Sequence, residues 1–180
     1  MAEENKEKWM NYMAITTVLI AVCATFSTFK GGGYGTKSLM NQTLASDQWS
    51  FFEAKSLKSY IFEMQKDNLE LQKGMLSKSG TNAEILDKYQ VKIDGYSKKL
   101  KQYEDDKAEI KKRANGFEAT RDECKNHSAA FGIAVIFLQI SILLSSISAL
   151  AKKHYIYYLS LIVGAVGVLY FFDGFFLFLK

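Results

Sequence analysis

A glycine-rich segment near the first apolar stretch has residue types that could bind phosphate. Residues 31–38, GGGYGTKS, nearly match the loop G-x-x-x-x-G-K-[ST], whose backbone N–H groups surround phosphate groups. Thr36 stands where that motif needs glycine, and such a loop follows a strand in an α/β domain. Gly33-Tyr34-Gly35 also resembles a potassium filter, which needs a preceding pore helix. Neither context is present, so we interpret the segment as a flexible connection.

A second group of residues has spacing that could hold a metal ion. Cys124 and His127 lie three residues apart, and Glu123 is adjacent. A structural zinc site needs four ligands, which one chain does not supply here. We favour a small residue on a helix seam for Cys124 and a membrane-edge residue for His127. We therefore expect no metal and no other cofactor.

The charged runs give little support for catalysis. Residues 104–106 are acidic and residues 111–113 are basic. Paired carboxylates act as acid and base only in a cleft that shifts their pKa values. No nucleophile has a positioned base, because both histidines lie at the edges of apolar stretches. We predict no catalytic residue and no enzymatic activity.

Asp173 is the ionisable residue that most needs a reason. It lies inside the third apolar stretch, where a charge costs at least about 2.5 kcal/mol near the bilayer centre. Three membrane crossings would bring Lys30 and His127 to the same level, so both are expected partners of Asp173. The favoured interpretation is a structural acid at the interface, paired with Lys30 or hydrated. The alternative is an ion or proton relay.

The elements that position these residues are three long apolar stretches. They cover Trp9–Phe29, Ala129–Ala151 and Tyr155–Leu179, and about 20 residues suffice to cross a bilayer. The first is longer than the roughly 7–15 apolar residues of a secretory signal, so we expect a membrane anchor. The predicted organisation is a tail with the first span (1–30), a Gly-rich exit with a hairpin (31–128), and two further spans (129–151 and 152–180).

The segment between the first and second spans is charged and predicted to be helical. Acidic and basic side chains are nearly balanced there, which excludes the basic face that nucleic acid requires. The chain contains no proline, which favours long uninterrupted helices. Mixed charge and the absence of proline therefore predict two solvated helical arms.

Each predicted arm carries residues that alternate by three and four positions. In the first arm these are Ala54, Leu57, Ile61, Met64, Asn68, Leu71 and Met75. In the second they are Leu86, Tyr89, Ile93, Tyr96, Leu100, Tyr103, Lys107, Ile110, Ala114 and Phe117, and the alternation continues through Arg121, Cys124, Ser128 and Phe131 into the second span. This spacing predicts a coiled-coil hairpin whose second arm and second span form one helix.

The turn and the one polar seam residue complete the hairpin prediction. Gly80 suits the position after a helix end, and Thr81 with Glu84 forms a capping box for the next helix. Asn68 lies among apolar residues of the first arm. A buried amide at such a position fixes register or copy number at a cost in stability, so Asn68 is expected to specify an oligomer.

Three stretches resemble a known family. Residues 8–38 (KWMNYMAITTVLIAVCATFSTFKGGGYGTKS), 45–66 (ASDQWSFFEAKSLKSYIFEMQK) and 127–153 (HSAAFGIAVIFLQISILLSSISALAKK) resemble the bacterial membrane family catalogued as domain of unknown function 4337. The resemblance covers nearly the whole chain. It implies a bacterial membrane location and this architecture, and it implies no activity.

These observations define the expected class and role. We predict an all-α membrane protein with three transmembrane helices and a long antiparallel coiled-coil hairpin between the first and second. Its partners would be the lipid bilayer, further copies of itself and an unidentified membrane protein, but no nucleic acid. The expected role is structural assembly, and the alternative is an oligomeric ion or proton pathway through Asp173.

Charges in the short flanks predict the orientation. Lys6, Lys8, Lys152 and Lys153 fall on one side of a three-span protein, with Lys180 on the other. Basic residues favour the cytoplasmic side. The protein would therefore lie in the inner (plasma) membrane with a cytoplasmic N-terminus and the hairpin outside.

Overall fold

The structure, a computed structural model, describes the backbone of residues 2–80 and 82–179, and side chains from Trp9 onward within those ranges. It contains three α-helices, α1 (Ala2–Lys78), α2 (Ala83–Ala151) and α3 (His154–Phe176), and the described residues contain no strand. Each helix is long and apolar enough to cross a membrane. The all-α class is confirmed, as is the prediction that the second arm and second span are one helix.

The glycine-rich segment is helical, so the prediction of a flexible exit was wrong. α1 runs through residues 31–38 without a break. Glycine in a helix costs about 1 kcal/mol relative to alanine, and close packing on α2 offsets this cost. A Cβ on Gly31 would lie 3.0 Å from Cβ of Phe131, and one on Gly35 would lie 3.3 Å from Oγ of Ser128. The two glycines therefore let α2 approach α1 closely.

Two turns join the helices. Gly80 has a φ of 75°, as its predicted role after the end of α1 requires. Thr81, the predicted cap, lies outside the described residues. Oδ1 of Asn82 accepts a hydrogen bond from the backbone N–H of Glu84, so Asn82 caps the start of α2. In the second turn, Oγ of Ser148 donates to the carbonyl of Lys153.

The chain divides into two compact units. The apolar unit comprises Met1–Met40 with Thr120–Lys180, and the charged unit comprises Asn41–Ala119. In the apolar unit, α2 and α3 are antiparallel and approach closely at three glycines of α3. Built Cβ atoms on Gly164, Gly167 and Gly174 would come within 2.7–2.8 Å of side chains of α2.

In the charged unit, α1 and α2 pack as antiparallel arms. Nζ of Lys55 lies 2.6 Å from Oδ2 of Asp106, and the ring of Phe62 lies 5.6 Å from the rings of both Tyr96 and Tyr103. The predicted seam residues of α2 from Leu86 to Phe117 are all buried or half-buried. The α2 side of the hairpin was therefore predicted correctly.

The predicted seam of the first arm was wrong. The side of α1 that contacts α2 carries Phe52, Lys55, Ser59, Phe62, Lys66, Leu69, Lys73 and Leu76, and all of these are buried or half-buried. They repeat with the same three–four spacing as the predicted set, but on another face of the helix. Ring contacts and the ion pair to Asp106 stabilise this face, although it is less aliphatic than the predicted one.

The close contacts predict opposite effects for two Gly→Ala changes. In Gly167→Ala the new Cβ would lie 3.0 Å from the backbone nitrogen of Leu138, so a helix must shift at a cost of about 1–3 kcal/mol. In Gly132→Ala the Cβ meets nothing within 4 Å, so this variant should be neutral or slightly more stable. Thermal unfolding in detergent measures both. Equal melting temperatures would contradict the close approach of α3 to α2.

Candidate functional site

Asp173 closes the C-terminal end of α3. The residue is 6% exposed, and its Oδ1 accepts a hydrogen bond of 2.7 Å from the backbone N–H of Leu179. Its own carbonyl accepts a bond from the N–H of Leu177, which has the left-handed conformation. Asp173 therefore holds the chain where the helix ends, because its carboxylate and its carbonyl both bind the segment that follows.

The expected ion pair between Asp173 and Lys30 is absent. Lys30 is exposed, and among the described residues no ion pair joins it to Asp173. The carboxylate of Asp173 instead accepts from the backbone N–H of Leu179, a donor whose position is fixed by the chain itself. The predicted partner of Asp173 was therefore wrong, and its role as a structural acid stays a prediction.

His127 lies at the same end of α3, as predicted, but it binds Gly174, the residue after Asp173. Its Nδ1 is 2.9 Å from the carbonyl oxygen of Gly174, and it donates there when that nitrogen is protonated. The ring of Tyr34 stacks on His127 with centroids 4.6 Å apart. This arrangement ties the last turn of α3 to both other helices. A histidine placed in this way positions a helix end.

Hydroxyl groups link the helices deeper in the apolar unit. Oγ of Ser141 donates to the carbonyl of Ser160 and Oγ of Ser160 donates to the carbonyl of Ser141, at 2.7 and 3.0 Å. Thr17 bonds Ser145 at 2.6 Å. The sequence signal of such a link is a short polar side chain inside an otherwise apolar helix.

A groove in the apolar unit offers no catalytic group. Its volume is about 580 Å³, and it is lined by Ser27, Thr28, Gly31, Gly32, Gly35, Thr36, Leu39, Ser128, Gly132 and Val135. None of these side chains ionises near neutral pH, so the groove supplies neither an acid nor a base. The hydroxyl of Ser27 is buried there without a hydrogen-bond partner among the described residues.

The residues considered for metal and phosphate binding have other roles. Cys124 is 3% exposed on the face of α2 that packs inward. No group of three or more His, Cys, Asp or Glu side chains gathers within the described part of the chain. Residues 31–38 are helical, and most backbone N–H groups inside a helix already bond to carbonyls four residues earlier. A phosphate loop would need those groups free.

The predicted seam of the first arm forms an exposed apolar surface instead. We call this surface the outer stripe: Ala54, Leu57, Ile61, Met64, Asn68, Leu71 and Met75. Every member is exposed. The exposed face of α2 in the same unit is mostly charged or polar, with Val91 and Ile85 as its large apolar exceptions. The apolar exposure of the charged unit is therefore concentrated on one face of one helix.

Asn68 is at the surface in the single chain. Its Oδ1 accepts a hydrogen bond of 2.9 Å from Nε2 of Gln72, one turn further along α1. Asn68 does not lie between the two arms of the chain, because the contact between them uses the opposite face of α1. Asn68 remains the polar member of the outer stripe. Any oligomer-specifying role for it therefore requires a partner outside this chain.

Fold and surface define an all-α protein with three membrane-capable helices, a charged helical hairpin and an exposed apolar stripe. A family model described as "Domain of unknown function (DUF4337)" matches residues 9–177. The chain therefore belongs to this family, as the resemblance in sequence indicated. No curated protein and no solved structure matches the chain.

The geometry of Asp173 predicts the effect of two substitutions. Asp173→Asn keeps an oxygen that can accept from Leu179, whereas Asp173→Leu removes it. We expect Asp173→Leu to lower the free energy of unfolding by about 1.5–3 kcal/mol, the usual range for a bond to a charged group, and Asp173→Asn to lower it by less. Hydrogen exchange at Leu179 and thermal unfolding measure the effect. The exposed Asp105→Asn serves as the control, and equal stability of all variants would refute the closure.

Proposed function

We propose that this protein is a structural component of a membrane that self-associates through the outer stripe and has no catalytic activity. The observation that carries the proposal is the exposure of five large apolar side chains along one face of α1: Leu57, Ile61, Met64, Leu71 and Met75. Large apolar patches on an otherwise charged surface mark interaction sites. Their spacing fits another helix.

The energetic argument compares the two faces of α1 in the charged unit. Fully burying one leucine or methionine side chain stabilises by about 1.5–3 kcal/mol relative to leaving it exposed. The outer stripe exposes several such side chains over about five turns. A helix packed on it would bury them and gain much of this stabilising free energy. The inner face already has its partner in α2. The outer stripe therefore fits a helix from another molecule.

A coiled-coil hairpin is part of the same proposal. Both faces of α1 in the charged unit, and the inner face of α2, repeat with alternating steps of three and four residues. Such a repeat favours left-handed winding of the helices around one another. One face joins the arms within the chain, and the other is left for further copies, which makes the protein a homo-oligomer.

Membrane insertion follows from the three apolar helices. We place the protein as a multi-pass protein in the inner (plasma) membrane, with the N-terminus in the cytoplasm and the hairpin outside. Lys152 and Lys153, in the turn between α2 and α3, support this orientation. The side chains of Lys6 and Lys8, and the whole of Lys180, lie outside the described residues.

Asp173 favours the structural role over the alternative of an ion or proton pathway. A relay group exchanges its proton with water or a neighbouring side chain, whereas the carboxylate of Asp173 is buried and bonded to the backbone of Leu179. Purified protein in liposomes with a pH-sensitive dye inside tests the alternative. Proton flux that Asp173→Asn abolishes without unfolding the protein would replace the structural role.

Leu71→Asp should separate the copies. Placing a charge in an apolar seam is costly, so we expect the dissociation constant of the oligomer to rise at least about tenfold. Val91→Asp is the matched control, because Val91 is 64% exposed and Leu71 is 66% exposed, but Val91 lies on α2. Light scattering of the detergent-purified protein measures copy number. A monomeric wild-type protein, or equal effects of both changes, would refute the proposal.

Labelling from outside the cell tests the orientation. Cys124 is nearly inaccessible, so the reporter is Lys98→Cys at an exposed position of α2, in a chain carrying Cys23→Ala and Cys124→Ala. A reagent that cannot cross membranes should label this cysteine in intact spheroplasts. Lys152→Cys, in the turn between α2 and α3, should react only after lysis. The reverse pattern would invert the orientation and leave the three spans in place.

A further inference from the structure

The residues of the outer stripe are arranged in a regular pattern along α1. Its members fall into two layers that alternate along α1. One layer contains Ala54, Ile61, Asn68 and Met75, and the other contains Leu57, Met64 and Leu71. Each layer repeats every seven residues, as the two core positions of a coiled coil do. A partner with the same repeat would meet this surface layer by layer.

The two edges of the outer stripe differ in charge. The edge preceding the first layer contains the acids Glu53 and Asp67, while the edge following the second layer contains Lys58 and Gln72. Among the described residues neither Glu53 nor Lys58 has an ion-pair partner in the chain. The charges that flank the stripe are therefore available to a partner, and they differ from edge to edge.

We infer that two copies of this chain pair through their outer stripes in parallel and in register, with Asn68 facing Asn68 of the second copy. The inference rests on the self-association proposed above and names its geometry. In parallel pairing the acidic edge of one helix faces the edge of the second helix that contains Lys58, so Glu53 faces Lys58 of the second copy. Antiparallel pairing would bring the two acidic edges together, which is unfavourable.

Asn68 selects the register. An amide buried among apolar side chains is costly unless its hydrogen bonds are made. Only the in-register arrangement places the two Asn68 side chains in the same layer. Each Oδ1 can then accept from the other copy's amide nitrogen while still accepting from Gln72 of its own chain, because a carbonyl oxygen has two acceptor sites. A shift by one repeat would place Asn68 against Ile61 or Met75.

Disulfide trapping in membranes tests the geometry. In the full chain with Cys23→Ala and Cys124→Ala, single cysteines are introduced as Ile61→Cys, Asn68→Cys and Met75→Cys. A disulfide needs Cα atoms within about 7 Å, a distance that the core layers of a parallel pair provide. We expect all three variants to form covalent dimers on mild oxidation. The control Val91→Cys, at an exposed position of α2, should stay monomeric.

The outcomes separate the pairing from the proposed function. Covalent dimers that form only when cysteines of different layers are mixed, such as Met64→Cys with Met75→Cys, would indicate an antiparallel pair and overturn the inference. Self-association would then stand. No covalent dimers from any stripe position also overturns the inference. If, in addition, Leu71→Asp leaves the copy number unchanged, the proposed function falls with it.

Discussion

The close approach of α3 to α2 is the constraint on which the apolar unit depends. Three glycines of α3 leave no room for a Cβ, so side chains and backbone of α2 contact α3 directly. Helices in lipid gain little from the hydrophobic effect, and close van der Waals contact and hydrogen bonds between helices take its place. At this distance Ser141 and Ser160 reach each other's carbonyls, which longer side chains at the interface would prevent.

Phe131 shows how one contact supports the next. Its ring is fully buried against Gly174 of α3, and its Cβ lies where Gly31 lets α1 approach. The last turn of α3 is therefore anchored beside His127 and Asp173, one holding the carbonyl of Gly174 and the other the chain that follows the helix. Two ionisable groups at the edge of an apolar stretch thus both bind the backbone at the end of α3.

The charged unit shows a different use of the same helical repeat. α1 carries two faces with three–four spacing, and only one of them can contact α2. The inner face contains Phe62, whose ring meets two tyrosines, and Lys55, which pairs with Asp106. Every member of the outer stripe is exposed. The more apolar face of α1 in the charged unit is therefore the face that folding leaves exposed.

The sequence by itself determined the helices, the three apolar stretches, the turn at Gly80 and the seam of the second arm. Charge, apolar length and the absence of proline act locally, so they can be read residue by residue. Only the tertiary structure decided that residues 31–38 are helical, that Asp173 binds the backbone of Leu179, and which face of α1 meets α2. The helical state of residues 31–38 and the choice of face on α1 depend on contacts with residues of α2 that are far away in sequence. The bond of Asp173 to Leu179 is local, but it depends on the turn that follows α3, which brings a backbone N–H to the carboxylate.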